Sequence, residues 1–477
     1  MAGDYVVIAV YIAGMVGIGW AGWRLARSES EFVVAGRRLG WVMYAGTMSA
    51  VVLGGASTIG GVGLGYAHGV SGAWLVVMIG LGILALHAVF ARRLVRLRVC
   101  TVGEVLDLRF GGSTSVVSGV VMWVYTLMLA VTSMLAFASV FEVLLGVPDQ
   151  VGVAVGGLVV VLYSVLGGMW SITVTDVVQF GVKTVGIVLV LLPVSVVAAG
   201  GFGGLRARLG AEFFDPVGVG GSTIVTYALV YGFGLLIGQD IWQRVFTARS
   251  PGVATAGGVV SGLYCLVYGV AGALIGMSAR ALFPGLADPD EAFATVVREL
   301  LPVGVRGLVL AAALSALMST ASGALIACST VAVEDVVPWL VRRPLPGVVA
   351  HRWATLVLGV VAVVVAMLVG DVVGALSVAY NVLVGGLLVA VLGGLVWPRA
   401  TRAGAVASMG SGSVSVVVAM LVWGWDANAP IYWGVGVGSV VFVVVSVVTP
   451  RTPEVVLGAW RARLRGAGEV SSPASSS

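Results

Sequence analysis

Hydrophobic residues occur along this chain in long runs, and most runs are about as long as a helix that crosses a bilayer. Short polar stretches separate them, which delimits thirteen segments. In chain order these segments cover residues 4–25, 41–67, 71–95, 116–146, 151–169, 175–199, 222–240, 252–283, 302–336, 350–370, 371–397, 401–423 and 430–449. The pattern predicts an all-α polytopic membrane protein with about 13 transmembrane helices.

The composition agrees with this interpretation. The chain is 59% hydrophobic and 10% charged, whereas about 25% of the residues in a soluble domain are charged. We therefore expect residues 1–449 to form a single transmembrane domain. Residues 450–477 would form a cytoplasmic tail that is partly disordered, because its end consists mostly of serine.

The arginines predict the orientation of the chain in the membrane. With the N-terminus outside, the inner connections hold 20 arginines and the outer connections hold 5. Cytoplasmic loops are enriched in arginine and lysine, so this split favours an N-terminus outside and a C-terminus inside the cytoplasmic membrane. The formal charge of +5 follows from this topology and does not indicate a nucleic-acid partner.

Two apolar segments contain clusters of glycine and hydroxyl residues, at 54–61 and 316–323. Lipid tolerates irregular or polar backbone at such depth only where protein buries it or where it lines a cavity. The clusters therefore predict a site in the middle of the membrane, and a cation is the first ligand to consider.

Ala316, Ser319 and Thr320 share one face of a helix because they are three and four residues apart. If the second segment is broken, it frees the carbonyls of Ala56 and Ile59 to face them. Five neutral oxygens without a carboxylate suit Na⁺ better than Ca²⁺, which usually recruits acidic side chains. The alternative is that the hydroxyls only bond to carbonyls of their own helix or hold helices together.

Other polar residues at membrane depth have two interpretations each. Asp176, at the expected start of the sixth segment, is either a helix cap or an acid at the inner mouth of a cation path. Trp242 and Arg244 are typical of an anchor at headgroup depth. Trp123, Tyr231 and Asn381 are candidates for a solute cavity, although packing between helices would also explain each of them.

Motifs for nucleotide binding and hydrolysis are missing. The sequence has no GxxxxGK[ST] element and no HExxH element, and its three histidines form no plausible set with a serine and an acid. The chain is therefore expected to be neither an enzyme nor an ATP-driven pump.

Six elements in order resemble the sodium:solute symporter family. These elements are Phe32–Arg37, Gly55–Ser57, Thr101–Glu104, Tyr163–Gln179, Gln239–Arg244 and Met318–Thr320.

The resemblance implies a LeuT-type core of five plus five inverted segments, with repeats at about 41–199 and 222–397. Glycine-interrupted segments in matching positions of the two halves agree with such a repeat. The resemblance also implies a Na⁺ site at the five residues named above and places Asp176 on the inward sodium path. It places the solute near Thr58, Trp123, Tyr231 and Asn381.

Two positions depart from the family pattern. Thr58 stands where proline carriers have an acid, and Ser322 stands where many members have an acid.

The sequence thus predicts a secondary transporter that moves a small organic solute into the cell with Na⁺. The backbone N–H groups near Gly60 can hold a carboxylate at a helix start, which favours an amino acid or a small carboxylate. The alternatives are a proton-coupled carrier of the same fold and a non-transporting membrane sensor. The expected partners are the solute and the lipid bilayer; no nucleic acid and no obligate protein partner are implied.

Overall fold

The computed structural model describes residues 2–466 apart from residues 113, 344, 346, 369–371 and 426, and most of the described chain is helical. The α-helices, numbered in chain order, are α1 Ala2–Trp23, α2 Glu29–Val34, α3 Trp41–Val51, α4 Gly61–His68, α5 Trp74–Ala85, α6 Ala91–Leu97, α7 Val102–Phe110, α8 Thr114–Leu135, α9 Phe137–Leu145, α10 Asp149–Lys183, α11 Leu192–Ala198, α12 Gly201–Leu209, α13 Gly221–Tyr227, α14 Phe233–Ile237, α15 Gln239–Val245, α16 Pro251–Leu282, α17 Glu291–Leu300, α18 Val305–Val331, α19 Val337–Val341, α20 Val348–Leu368, α21 Val372–Val396, α22 Arg402–Trp423, α23 Ala429–Val448 and α24 Glu454–Arg465.

Five π-helical stretches continue neighbouring α-helices, and such stretches occur frequently at functional sites. They are Ala56–Gly60, Leu86–Phe90, Thr184–Leu191, Ala228–Gly232 and Ala332–Val336.

Within the described residues, ten helices are long and apolar enough to cross a membrane. A pair that bends by 43°, Gly221–Ile237 with Gln239–Val245, would make eleven. Each of the thirteen predicted apolar segments overlaps these helices, but the first half of segment 41–67 is the separate helix α3, which is not among them. The coarse prediction of an all-α polytopic membrane protein is therefore confirmed.

Two of the ten helices are much longer than the roughly 20 residues that one crossing needs. Ala56–Leu97 has 42 residues and Asp149–Ala198 has 50. Each contains a glycine whose φ is positive, Gly69 (63°) and Gly168 (52°), so the chain changes direction there. Both glycines lie where the sequence predicts a boundary between two segments.

Helix α18 lies at the centre of the bundle. The apolar window of the helical run Val305–Val341 is entirely buried, and α18 packs against α1, α3, α8, α10 and α20. A helix that is hydrophobic all round belongs in such a position. Ser319 and Thr320 therefore lie deep inside protein.

Two expectations about local structure change. The helix after Gly168 includes residues 169–175, so Asp176 lies inside a helix and is not a cap at its start. The first part of the expected tail forms α24, and Arg96 Nη1 donates to the Leu464 carbonyl at 3.3 Å. The serine-rich end, 471–477, lies outside the described residues.

Replacing Gly168 with Ala is expected to destabilise the protein. A left-handed backbone costs a non-glycine residue about 1–2 kcal/mol, and the new Cβ would lie 2.6 Å from the Phe32 carbonyl oxygen. Gly181→Ala is the matched control, because it lies in the same helix and its Cβ would meet nothing within 4 Å. Thermal unfolding in detergent should show a lower midpoint for G168A alone. Equal midpoints for the two variants would contradict this account.

Candidate ion and solute sites

The second apolar segment is broken at residues 52–54, between α3 and the π-helical stretch Ala56–Gly60. The last four carbonyls of any helix lack an intrahelical partner, so the break leaves acceptors at the end of α3. In a membrane these acceptors need partners from the protein.

Two hydroxyls of α18 donate hydrogen bonds to carbonyls at the break. Thr320 Oγ1 donates to the Val51 carbonyl at 2.7 Å, and Ser319 Oγ lies 3.0 Å from the Ala50 carbonyl oxygen. Both hydroxyls also lie close to the Ala316 carbonyl oxygen, at 3.4 and 3.0 Å respectively. Oxygens from two distant parts of the chain therefore meet in the middle of the bundle.

Beyond Ala316, the carbonyls that the hydroxyls contact differ from the carbonyls that are predicted to bind the ion. The hydroxyls reach Ala50 and Val51, while Ala56 and Ile59 belong to the π-helical stretch after the break. Ala56 still lines a small cavity together with Thr320, whereas Ile59 is not among the lining residues.

Glycine is required at position 54 for this approach. A Cβ on Gly54 would lie 2.6 Å from Thr320 Oγ1 and 3.0 Å from Thr320 Cβ, which is closer than real Cβ contacts come. The glycine run predicted from the sequence therefore brings the two segments together, besides loosening the helix.

A further partner at the break is Lys183, at the end of α10. Its Nζ donates to the carbonyls of Ala50 and Leu53 at 3.0 and 3.1 Å. The side chain is fully buried, and its Nζ lies 5.8 Å from the centre of the Tyr268 ring.

Two cavities meet near the break. The larger, about 510 Å³, opens at the end of the bundle where His68, Asp288 and Trp425 are exposed. The smaller, about 30 Å³, has room for about one water-sized particle and reaches Thr320. The residues common to both linings are Ala56, Tyr231 and Leu376.

Three of the five predicted solute residues line the larger cavity, namely Gly60, Tyr231 and Asn381. Asn381 is 4% exposed, and its Oδ1 has no hydrogen-bond partner in the described structure. Thr58 lines neither cavity, and its hydroxyl lies 2.8 Å from the hydroxyl of Tyr268. Trp123 also lines neither cavity.

A buried ion pair joins α10 and α15. Arg244 Nη2 donates to Asp176 Oδ2 at 2.9 Å, and both side chains are 0% exposed. Thr47 Oγ1 donates to the same carboxylate oxygen, while Asp176 Oδ1 has no hydrogen-bond partner in the described part of the chain. An anchor at headgroup depth is thus the wrong interpretation for Arg244, and also for Trp242, which is fully buried.

The sequence model of the Sodium:solute symporter family matches residues 32–412. The chain belongs to this family. It is 27% identical over 465 residues to the sodium/proline symporter of Escherichia coli K12, and the match covers 92% of each chain. It is also 27% identical over 454 residues to the sodium/proline symporter of Staphylococcus aureus RF122, covering 88% of this chain and 86% of that one.

Solved structures show the same fold. A substrate-bound, outward-open Na⁺-coupled sialic acid symporter superposes with a TM-score of 0.80 at 17% identity, covering 94% of this chain and 98% of that one. Mhp1, a nucleobase-cation-symport-1 family transporter, gives 0.58 at 15% identity, with coverage of 91% and 98%. MhsT in complex with L-phenylalanine gives 0.56 at 16% identity, with coverage of 86% and 99%. The symporter therefore has a LeuT-type fold.

The family and its members establish the class of activity. This protein is a multi-pass membrane transporter, not an enzyme, and Na⁺ is its co-transported ion.

Sequence reasoning overlooked two buried charges of the symporter. Asp240 lines the smaller cavity and accepts a hydrogen bond from Tyr125 at 2.9 Å. Lys183 binds the Ala50 and Leu53 carbonyls at the break. The sequence contains a signal for both residues, because ionisable residues inside a membrane segment are costly and usually functional.

Replacing Arg244 with Met is expected to destabilise the symporter strongly. The change leaves the Asp176 carboxylate buried without its cation, and breaking a buried pair from one side costs ~3–5 kcal/mol. The double variant Arg244→Met with Asp176→Asn removes both charges and should recover most of that loss. Thermal unfolding of the wild type, both single variants and the double variant measures the coupling. Strictly additive effects would show that the pair contributes nothing of its own.

Proposed function

We propose that this symporter carries a small amino acid into the cell together with Na⁺, across the cytoplasmic membrane. The observation that carries this proposal is the larger cavity, which holds the unpaired Asn381 Oδ1 close to the ion-sized cavity at Thr320. Solute and ion would then bind in neighbouring cavities that share Ala56, Tyr231 and Leu376 as lining residues.

We further propose thirteen crossings that contain two inverted repeats of five, at about 41–199 and 222–397, within a single domain of residues 1–449. Helical runs of 42 and 50 residues favour a second crossing in each, with the turns at Gly69 and Gly168. The breaks at 52–54 and at Gly238 lie five segments apart, as an inverted repeat requires. The arginine distribution supports an N-terminus outside and a C-terminus inside.

For the ion we propose the carbonyls of Ala56, Ile59 and Ala316 with the hydroxyls of Ser319 and Thr320. The contacts at Ala316 and the shared cavity of Ala56 and Thr320 support this set. The hydroxyls would turn from Ala50 and Val51 toward the ion, a movement that rotation of their side chains allows.

Asp176 is proposed to take part in the release of sodium toward the cytoplasm. Its Oδ1 is buried and has no hydrogen-bond partner among the residues that the structure describes. When the Arg244 pair opens, a free carboxylate oxygen there would attract a departing cation.

The class of solute follows from the charges along the larger cavity. Asp288 and Asp290 line its mouth, and among the described lining residues only His68 can carry a positive charge. The cavity therefore accommodates a solute with an ammonium group better than a solute whose only charged group is a carboxylate. Of the two solute classes that the sequence favours, an amino acid and a small carboxylate, this supports the amino acid. Its carboxylate would bind the backbone near Gly60 and its ammonium the Asn381 carbonyl oxygen, with Thr58 and Trp123 as supporting residues.

Removal of the Ser319 and Thr320 hydroxyls should weaken the sodium dependence of uptake, whereas removal of another buried hydroxyl of α18 should not. Ser319→Ala combined with Thr320→Ala is expected to raise the sodium concentration for half-maximal uptake at least tenfold, since two of five proposed ligands are lost. Ser329→Ala is the control, because this buried hydroxyl on the same helix bonds to the Ile326 carbonyl. Uptake into vesicles over a range of Na⁺, at constant ionic strength, measures the effect. An unchanged sodium response would remove the site assignment.

The solute can be identified in vesicles with an imposed Na⁺ gradient and labelled candidates, namely proline, other neutral amino acids, small carboxylates and sialic acid. We expect a neutral amino acid to accumulate with Na⁺ and not with K⁺. Asn381→Leu should raise its KM at least tenfold, because the variant lacks the carbonyl oxygen, and should leave half-saturation by Na⁺ unchanged. Accumulation driven by a proton gradient alone would favour a proton-coupled carrier, and no accumulation of any candidate would favour a sensor.

A further inference from the structure

Lys183 is the only lysine of the chain, whose other 25 basic residues are all arginine. Its side chain is 0% exposed and lies inside the apolar run 149–198. A charged group at such depth is costly and is usually retained for function.

The ammonium of Lys183 binds neutral groups. It has the carbonyl oxygens of Ala50 and Leu53 at 3.0 and 3.1 Å and the face of Tyr268 at 5.8 Å. Within the described residues it makes no salt bridge with a carboxylate. Neutral oxygens and an aromatic face are the groups that would also surround an alkali cation.

The ammonium lies directly beside the proposed sodium site. The Ala50 carbonyl oxygen is contacted both by Lys183 Nζ and by Ser319 Oγ, each at 3.0 Å. Two cations this close repel each other in a medium of low dielectric constant. Their binding groups are also coupled, because Ser319 Oγ, a proposed sodium ligand, contacts the same Ala50 carbonyl oxygen that Lys183 binds.

We propose that Lys183 is a built-in competitor of Na⁺, an inference that rests on the sodium site proposed above. Its ammonium holds the carbonyls at the break, and sodium binding displaces it. Occupancy of the site by the ion thereby becomes linked to the shape of the break between α3 and the π-helical stretch Ala56–Gly60.

The surroundings of Lys183 give the displaced ammonium a place to go. Side chains of a helix point toward its N-terminus, and Asp176 lies two turns earlier on the same face. Asp176 Oδ1 is buried, and none of the described residues gives it a hydrogen-bond partner. The π-helical stretch Thr184–Leu191 begins directly after Lys183, and such a stretch eases local shifts of the helix.

The test is direct binding of radioactive sodium to the purified full-length protein. Lys183→Met removes the ammonium, and Lys183→Gln removes the charge but keeps a hydrogen-bond donor. Both variants are expected to lower the sodium concentration for half-saturation at least tenfold. Lys183→Arg retains the charge and should not show this gain. Half-saturation that is unchanged or raised in folded K183M and K183Q would overturn the proposal.

Two further measurements keep the outcomes separable. Loss of sodium binding in the Ser319→Ala, Thr320→Ala variant tests the site itself, so a failure there is distinct from a failure of the role of Lys183. If the Lys183 variants do not fold, the wild type can be treated with an amine-acylating reagent and the Lys183 peptide followed by mass spectrometry. Na⁺, but not K⁺, should change the rate of acylation of this lysine. A rate that is independent of sodium would also overturn the proposal.

Discussion

The site depends on one constraint, which is that a helix broken inside a bilayer leaves carbonyl groups that only the protein can satisfy. The break after α3 leaves the carbonyls of Ala50, Val51 and Leu53 as acceptors. They accept hydrogen bonds from the side chains of Ser319, Thr320 and Lys183. These donors come from α18 and α10, so the interruption of one helix holds three helices together. The polar centre of the bundle therefore follows from the break itself.

Much of the fold could be predicted from the sequence because the thickness of the bilayer sets the length of the apolar runs. The meeting of the segments around 54 and 320 could be predicted as well, since glycine and hydroxyl residues are out of place in lipid. It could not be predicted which carbonyls the Ser319 and Thr320 hydroxyls contact. A break frees the carbonyls before it, at the end of the preceding helix, whereas the glycine run marks the residues at and after it. The contacts of the hydroxyls with Ala50 and Val51 therefore have no counterpart in the sequence pattern.

The buried charges escaped prediction for a different reason. Trp and Arg near the end of an apolar segment are typical of headgroup depth, and nothing in the local pattern shows that Arg244 turns inward. Its partner, Asp176, is 68 positions away in the chain. A charge can remain in the interior when a second charge meets it there, and only the packing of α15 against the rest of the bundle brings the two together. Local patterns describe single helices well and pairs of distant helices poorly.

The charges lie in an order that suits a carrier better than a channel. Along the proposed path, a cation meets Asp288 and Asp290 at the mouth, then neutral oxygens around Thr320, then the ammonium of Lys183 and the closed pair of Asp176 with Arg244. Acids at the mouth raise the local concentration of cations, and the neutral oxygens bind one of them without holding it permanently. The ammonium beyond them opposes leakage while it holds the carbonyls at the break. In this scheme the ion passes only after the ammonium moves and the pair opens, and those are the movements that a bound solute can favour.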